Sequence, residues 1–126
     1  MTIVLDAGAL IAIERADRDV MALLKAERQA GHEPRTHGGV VAQVWRGGSG
    51  RQAVLARLLV GAEVIPLDDR LGRASGALLG STATSDVVDA AVIAMTNDGD
   101  VVLTSDPQDL VELARASGRY LEIVPV

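Results

Sequence analysis

The chain has no cysteine and no phenylalanine, and only one tryptophan (Trp45), one tyrosine (Tyr120) and one lysine (Lys25) among its 126 residues. Without cysteine there is no disulfide framework, no thiol chemistry and no cysteine–zinc site. Without Phe, the core must be assembled from Ala, Val, Leu and Ile. No segment approaches the ~20 apolar residues of a membrane span. The opening MTIVLDAG has no basic region ahead of its apolar run, so it does not read as a signal peptide, and a cytoplasmic location is the expectation.

What is present is a hydrophobic fraction of 48%, ample for one packed domain over residues 1–126. Val, Ile and Leu dominate the short apolar runs, a composition that suits helices laid on a parallel sheet. The net charge of −5 is uneven. Residues 1–57 hold eight basic and six acidic side chains, whereas residues 58–126 hold four basic and eleven acidic ones. An acidic balance argues against a general nucleic-acid coat, but clustered acids can also bind a cation, which reverses the local field.

Apolar runs of strand length alternate with helical patterns. Strands are expected at 2–5, 63–67, 101–104 and 121–124, with a weak edge strand in the polar connection 32–37. Helices are expected at 7–15, 18–30 (N-capped by Asp17, stopped at Gly31), 40–46, 51–60, 68–79, 87–96 and 107–116. Gly47, Gly48 and Gly50 break the middle of the chain, and 80–85 is a loop. Strand and helix alternating in this way predict a three-layer α/β/α domain with a mainly parallel sheet of four or five strands.

Acidic residues fall at the ends of these elements. Asp6 ends the first strand, Asp106 follows the VVLTS strand, and Asp86 and Asp89 open the helix of DVVDAAVIA. Each has a structural explanation. Asp6 caps the next helix, and Asp86 as N-cap puts Asp89 at the third helical position. Asp106–Pro107 reads as an N-cap with Pro at the first position, and Asp109 then completes that first turn. Capping and chemistry are compatible, because the carboxyl edge of a parallel sheet is where ligands bind. Asp6 and Asp106 should lie there. Asp86 and Asp89 join them if loop 80–85 carries the chain back to that edge. Converging carboxylates repel, and helix N-termini relieve only part of the cost. An oxygen-only donor set points to Mg²⁺ or Mn²⁺, ions that activate water and assist in-line phosphoryl displacement.

IVLDAGALIAIE, VVAQVWR, DVVDAAVIA and VVLTSDPQDL, followed by a last strand, resemble the PIN domain, and within it the VapC-type ribonuclease toxins of toxin–antitoxin pairs. The last two blocks, at their mutual spacing, are the specific part. The resemblance implies a PIN-like α/β fold, hydrolysis of RNA phosphodiesters, Mg²⁺ or Mn²⁺ as cofactor, a homodimer and a VapB-like antitoxin. It implies catalytic acids Asp6, Asp89 and Asp106, with Asp86 a further metal ligand, and a supporting hydroxyl from Thr104 or Ser105. The chain departs from the family pattern at Gln43, where an acid is usual; Gln offers a carbonyl oxygen but no charge. Glu14, two helical turns beyond Asp6, and Asp86 are the two candidates to replace it.

Arg15, Arg18, Arg46 and Arg51 in the more basic half are the candidate RNA contacts. With so few aromatics, stacking is a poor source of specificity, so a structured RNA read by shape is the expected substrate. His32 and His37 read as surface residues rather than general bases. Helices 18–30 and 51–60 offer Ala- and Leu-rich faces to a partner helix or to the core. Two other readings compete. Loss of the second acid would leave a module that binds RNA or protein without cutting. A receiver-type phosphotransfer domain would need a lysine near its end, and the only lysine is Lys25.

Overall fold

A computed structural model of the chain describes residues 1–48 and 50–126, and of Arg51 the backbone alone. In chain order the elements are β1 (Ile3–Leu5), α1 (Ala7–Glu14), α2 (Arg18–Gln29), β2 (Arg35–His37), α3 (Gly38–Val44), a single 3-10 turn (Gly50–Gln52), α4 (Ala53–Val60), β3 (Glu63–Ile65), α5 (Asp69–Leu79), α6 (Val87–Ala94), β4 (Val101–Thr104), α7 (Pro107–Ser117) and β5 (Glu122–Pro125). The five strands form one sheet, all parallel, in the order β3-β2-β1-β4-β5. α1 packs with α2, α3 and α4, while α5, α6 and α7 pack with one another, giving a helical layer on each side. This is the expected three-layer α/β/α fold with five strands.

The central strands are apolar on both faces. Ile3, Val4 and Leu5 of β1 and Val102 and Leu103 of β4 are buried, and each pairs with its neighbour in register (Val4 with Val102, Leu5 with Leu103). Leu10 and Ile13 of α1, Ala90–Ile93 of α6, and Leu110 and Leu113 of α7 close over them. Small aliphatic side chains fill the space that aromatics occupy elsewhere.

The sequence places the polar 32–37 segment at an edge, and this is corrected: β2 lies inside the sheet, between β1 and β3. Its polar groups are accommodated because each finds a partner. Thr36 donates its hydroxyl to the Leu5 carbonyl at 2.9 Å. Arg35 reaches Glu63 on β3 at 3.2 Å and the Met95 carbonyl at 3.2 Å. Among the described residues no buried side-chain nitrogen or oxygen lacks a partner, so burial here does not carry the cost of an unmade hydrogen bond.

The strand order fixes where a site belongs. From β1 the chain moves outward to β2 and β3, then crosses back to β4 and moves the other way to β5. The order reverses between β1 and β4, which is the topological switch point of an open parallel sheet. α6 starts at the same, carboxyl-terminal edge, because His37 at the end of β2 bonds the Val88 carbonyl at 3.0 Å. Its far end is held by Arg119, whose Nη1 donates to the Ile93 and Ala94 carbonyls at 2.7 and 2.9 Å. A cation at a helix C-terminus also suits the helix dipole. With both ends pinned, the first turn of α6 is set firmly beside the switch point. No helix among the described residues is long and apolar enough to cross a membrane.

Candidate metal and active site

Asp6 follows β1 and is almost fully buried, at 5% exposure. Its Oδ1 accepts the Ala9 N–H at 2.9 Å and caps α1. The Thr104 hydroxyl and the Ser105 and Gly8 N–H groups also donate to this carboxylate. Burial raises its pKa above the ordinary 3.8, and these donors pull the other way. Thr104 is buried at the end of β4, and its Oγ1 also accepts the Asp106 N–H at 2.8 Å. One hydroxyl therefore ties the two sides of the switch point together. Ser105 is exposed and contributes its backbone N–H. The approach of α1 to this loop is close: a Cβ on Gly8 would stand 2.9 Å from the Ser105 nitrogen and nearer still to its side chain. Only glycine fits there.

Asp86 is the N-cap of α6, accepting the Asp89 N–H at 3.0 Å. The reciprocal half of a capping box is not made, since the Asp86 N–H goes to the Thr84 hydroxyl at 3.3 Å. Asp89 is half-buried and feels four other acids. Its pKa is pushed up to about 6, first by burial and then by the charges of Asp86, Asp6, Asp106 and Asp109.

Asp106 departs from the sequence expectation. It occupies the N-cap position of α7 with Pro107 first in the helix, but its side chain makes no capping hydrogen bond. The side chain lies instead beside Asp109, one helical turn on. Their mutual charge and a hydrogen bond between them raise the Asp109 pKa. The expected capping role of Asp106 is thus corrected, and a carboxylate is left without structural employment.

The carboxylates whose oxygens converge are Asp89, Asp106 and Asp109, all within 4.8 Å of one another. Asp6 lies deeper, its oxygens engaged by backbone and Thr104 donors. Asp109 was legible only as the completion of a helical turn. The signal was its i,i+3 spacing from Asp106, which puts both on one face. For comparison, ligand oxygens on an octahedral Mg²⁺ at ~2.1 Å stand about 3.0 Å apart when adjacent and about 4.2 Å when opposite. Three carboxylates within 4.8 Å approach that shell, and their mutual repulsion is the energetic counterpart. The donor set, oxygen only and anionic, fits a hard divalent cation.

The structure does not bring the other candidates into this group. Glu14 sits at the far end of α1, about 12 Å along the axis from Asp6, and accepts from the Gln52 amide at 3.3 Å. Gln43 is exposed on α3 and has no hydrogen bond among the described residues. Arg15 and Arg18 are exposed where α1 gives way to α2, and Arg46 is exposed just after α3. The side chain of Arg51 lies outside the described residues.

His32 is exposed and bonds Glu27 at 2.8 Å. His37 is not a surface residue as its loop context suggests, but fully buried. Its Nδ1 accepts the Gly39 N–H at 3.0 Å, so the proton resides on Nε2 and is donated to Val88. Burial lowers its pKa. With both nitrogens committed, it is no general base.

A five-stranded parallel sheet with acids gathered at its switch point is the architecture expected of a PIN-like fold. No protein-family model matches the sequence, and no curated protein matches it. Among solved structures, the chain is similar to VapBC2 from Rickettsia felis, crystallised bound to a DNA fragment from their promoter, with a TM-score of 0.70, 14% identity and 98% of each chain covered. At that identity the likeness speaks for the fold.

Proposed function

We propose that the chain is a single PIN-like domain acting as a metal-dependent endoribonuclease toxin of the VapC type, held in check by a cognate antitoxin. One observation carries the reading: Asp89, Asp106 and Asp109 present oxygens within 4.8 Å of one another at the switch point. A fold similar to that of VapBC2 supports it. Asp89 from α6 and the Asp106–Asp109 pair from α7 would hold Mg²⁺ or Mn²⁺, with Asp86 beside them and Asp6 adding charge from below. A divalent cation so bound supplies Lewis-acid activation of water and charge stabilisation for phosphoryl displacement.

The remaining roles belong to the chain itself. Thr104 and the backbone of Ser105 orient Asp6. Arg15, Arg18, Arg46 and Arg51, from the more basic half of the sequence, take phosphates of a structured RNA. Exposed Met21 on α2 and Val60 on α4 offer apolar contact to an antitoxin or to a second copy of the chain.

The test is cleavage of RNA by the purified protein with Mn²⁺ or Mg²⁺, compared with EDTA. Cleavage is expected with metal only, and lost in Asp106→Asn and Asp89→Asn. Metal-dependent cleavage that survives both substitutions rejects this site. The neutral, exposed Gln43 favours a second reading, a module that binds RNA without cutting it. That reading requires RNA binding together with no Mn²⁺ uptake at millimolar metal.

A further inference from the structure

We propose that Trp45 is a base-stacking platform for the RNA, an inference that rests on the nuclease reading and names how its substrate is gripped. The chain's only tryptophan is 41% exposed immediately after α3. The core is complete without it, since Val40 and Val44 supply the buried face of α3.

The backbone that carries the indole is nevertheless held in place. The buried Gln52 amide accepts the Arg46 and Gly47 N–H groups at 3.0 and 2.9 Å, and donates to the Val44 carbonyl at 3.0 Å and to Glu14 at 3.3 Å. That clamp fixes the segment carrying Trp45 against the end of α1. A backbone fixed in advance lowers the entropy lost when a base stacks on the ring it carries.

Its neighbours decide the occupant. Arg46 spends one nitrogen on the Ala42 and Trp45 carbonyls, at 3.1 and 2.8 Å, and turns an exposed guanidinium outward. Arg15, next to Glu14 on the clamped end of α1, is also exposed. Neither forms an ion pair among the described residues. An exposed indole beside the Arg46 guanidinium suits an unpaired base and its phosphate. Single-stranded loops of folded RNA present such bases.

The test uses the tryptophan as its own reporter. A hairpin RNA with a mixed-sequence loop is titrated into the full-length protein in EDTA, and emission is followed. Saturable quenching is expected, with roughly tenfold weaker RNA binding in Trp45→Ala, near-normal binding in Trp45→Phe, and an unchanged salt slope in both because no charge is removed. Emission that stays flat at saturating RNA, or equal affinity of Trp45→Ala and wild type, overturns the platform. So does light scattering in which Trp45→Ala dissociates a dimer that wild type forms, since the ring is then a protein contact. If wild type cuts RNA with Mn²⁺ while any of these holds, the platform falls and the nuclease stands. If wild type neither binds nor cuts, the nuclease reading falls first.

Discussion

Replacing Asp89 by Asn should make the metal-free protein more stable at neutral pH, because the carboxylate is held where it is least welcome. Its pKa stands at about 6 against an ordinary 3.8. The folded chain therefore binds this proton more tightly than the unfolded chain does. Below pH ~4 both states carry it and the group costs nothing. As pH rises toward 6 the unfolded state ionises first, and wild type loses stability relative to Asp89→Asn. Above pH ~6 the difference is constant. Two units at 1.36 kcal/mol each set a ceiling of about 3 kcal/mol. The group is half in solvent, and screening reduces this to roughly 1–2 kcal/mol. Because repulsion is mutual, Asp89→Asn also relieves the neighbouring acids, and the gap reads the cluster rather than one group. Urea unfolding in EDTA across pH 4.5–7.5, at about half-unit steps, reads the two curves. The gap should open over that range and favour Asn. Parallel curves, or a wild type more stable at pH 7.5, would refute the claim that burial and neighbouring acids hold this carboxylate unfavourably in the fold. Added Mn²⁺ should close the gap by stabilising wild type alone.

Two further substitutions probe how the edge is built. Gly8→Ala drives a methyl into Ser105, so stability should fall by about 1–3 kcal/mol; an unchanged urea midpoint would mean that α1 does not approach the β4 loop as described. Thr104→Val keeps the shape but removes the hydroxyl shared by the Asp6 carboxylate and the Asp106 N–H, at a cost of about 1–3 kcal/mol. Thr104→Ser should recover most of both stability and Mn²⁺ affinity in calorimetric titration, and a serine variant no better than valine would show that packing, not the hydroxyl, matters.

The alternation of strand and helix was legible because the central strands are unbroken apolar runs and most helices carry a local start signal. Asp17 and Asp86 cap as sequence patterns suggest, and Asp68, expected inside its helix, caps it instead. β2 was legible as a strand but misplaced at an edge, because Arg35, Thr36 and His37 read as solvated. What makes them interior is a set of partners distant in sequence: Glu63, Met95, Leu5 and Val88. His37 was misread for the same reason. At the site, residues next to strand ends could be placed from order alone. The exclusion of Glu14 could not, since it depends on a hydrogen bond to Gln52 across 38 positions. Nor could the shift from Asp6 to Asp109 as third member of the converging group. It rests on the Asp106 side chain making no capping hydrogen bond and lying beside Asp109, which element order does not reveal.

The acids at this edge divide by whether the fold has a use for them. Asp6 and Asp86 accept backbone N–H groups at helix starts, a service worth about 1 kcal/mol each. Asp100, at the opposite edge, accepts from Thr2 and Asn97 at 2.9 and 2.8 Å and is likewise structural. Asp89 and Asp106 cap nothing, and Asp109 bonds Asp106 only when one of the pair is protonated. The N-terminal dipole of α6 returns about 0.3–1 kcal/mol to Asp89, less than the burial and repulsion recorded together in its raised pKa. Selection for stability alone would replace these residues with Asn or Ser at little structural cost. Carboxylates with no structural task, destabilised by one another and placed at a switch point, are better explained by a ligand of opposite charge than by the fold.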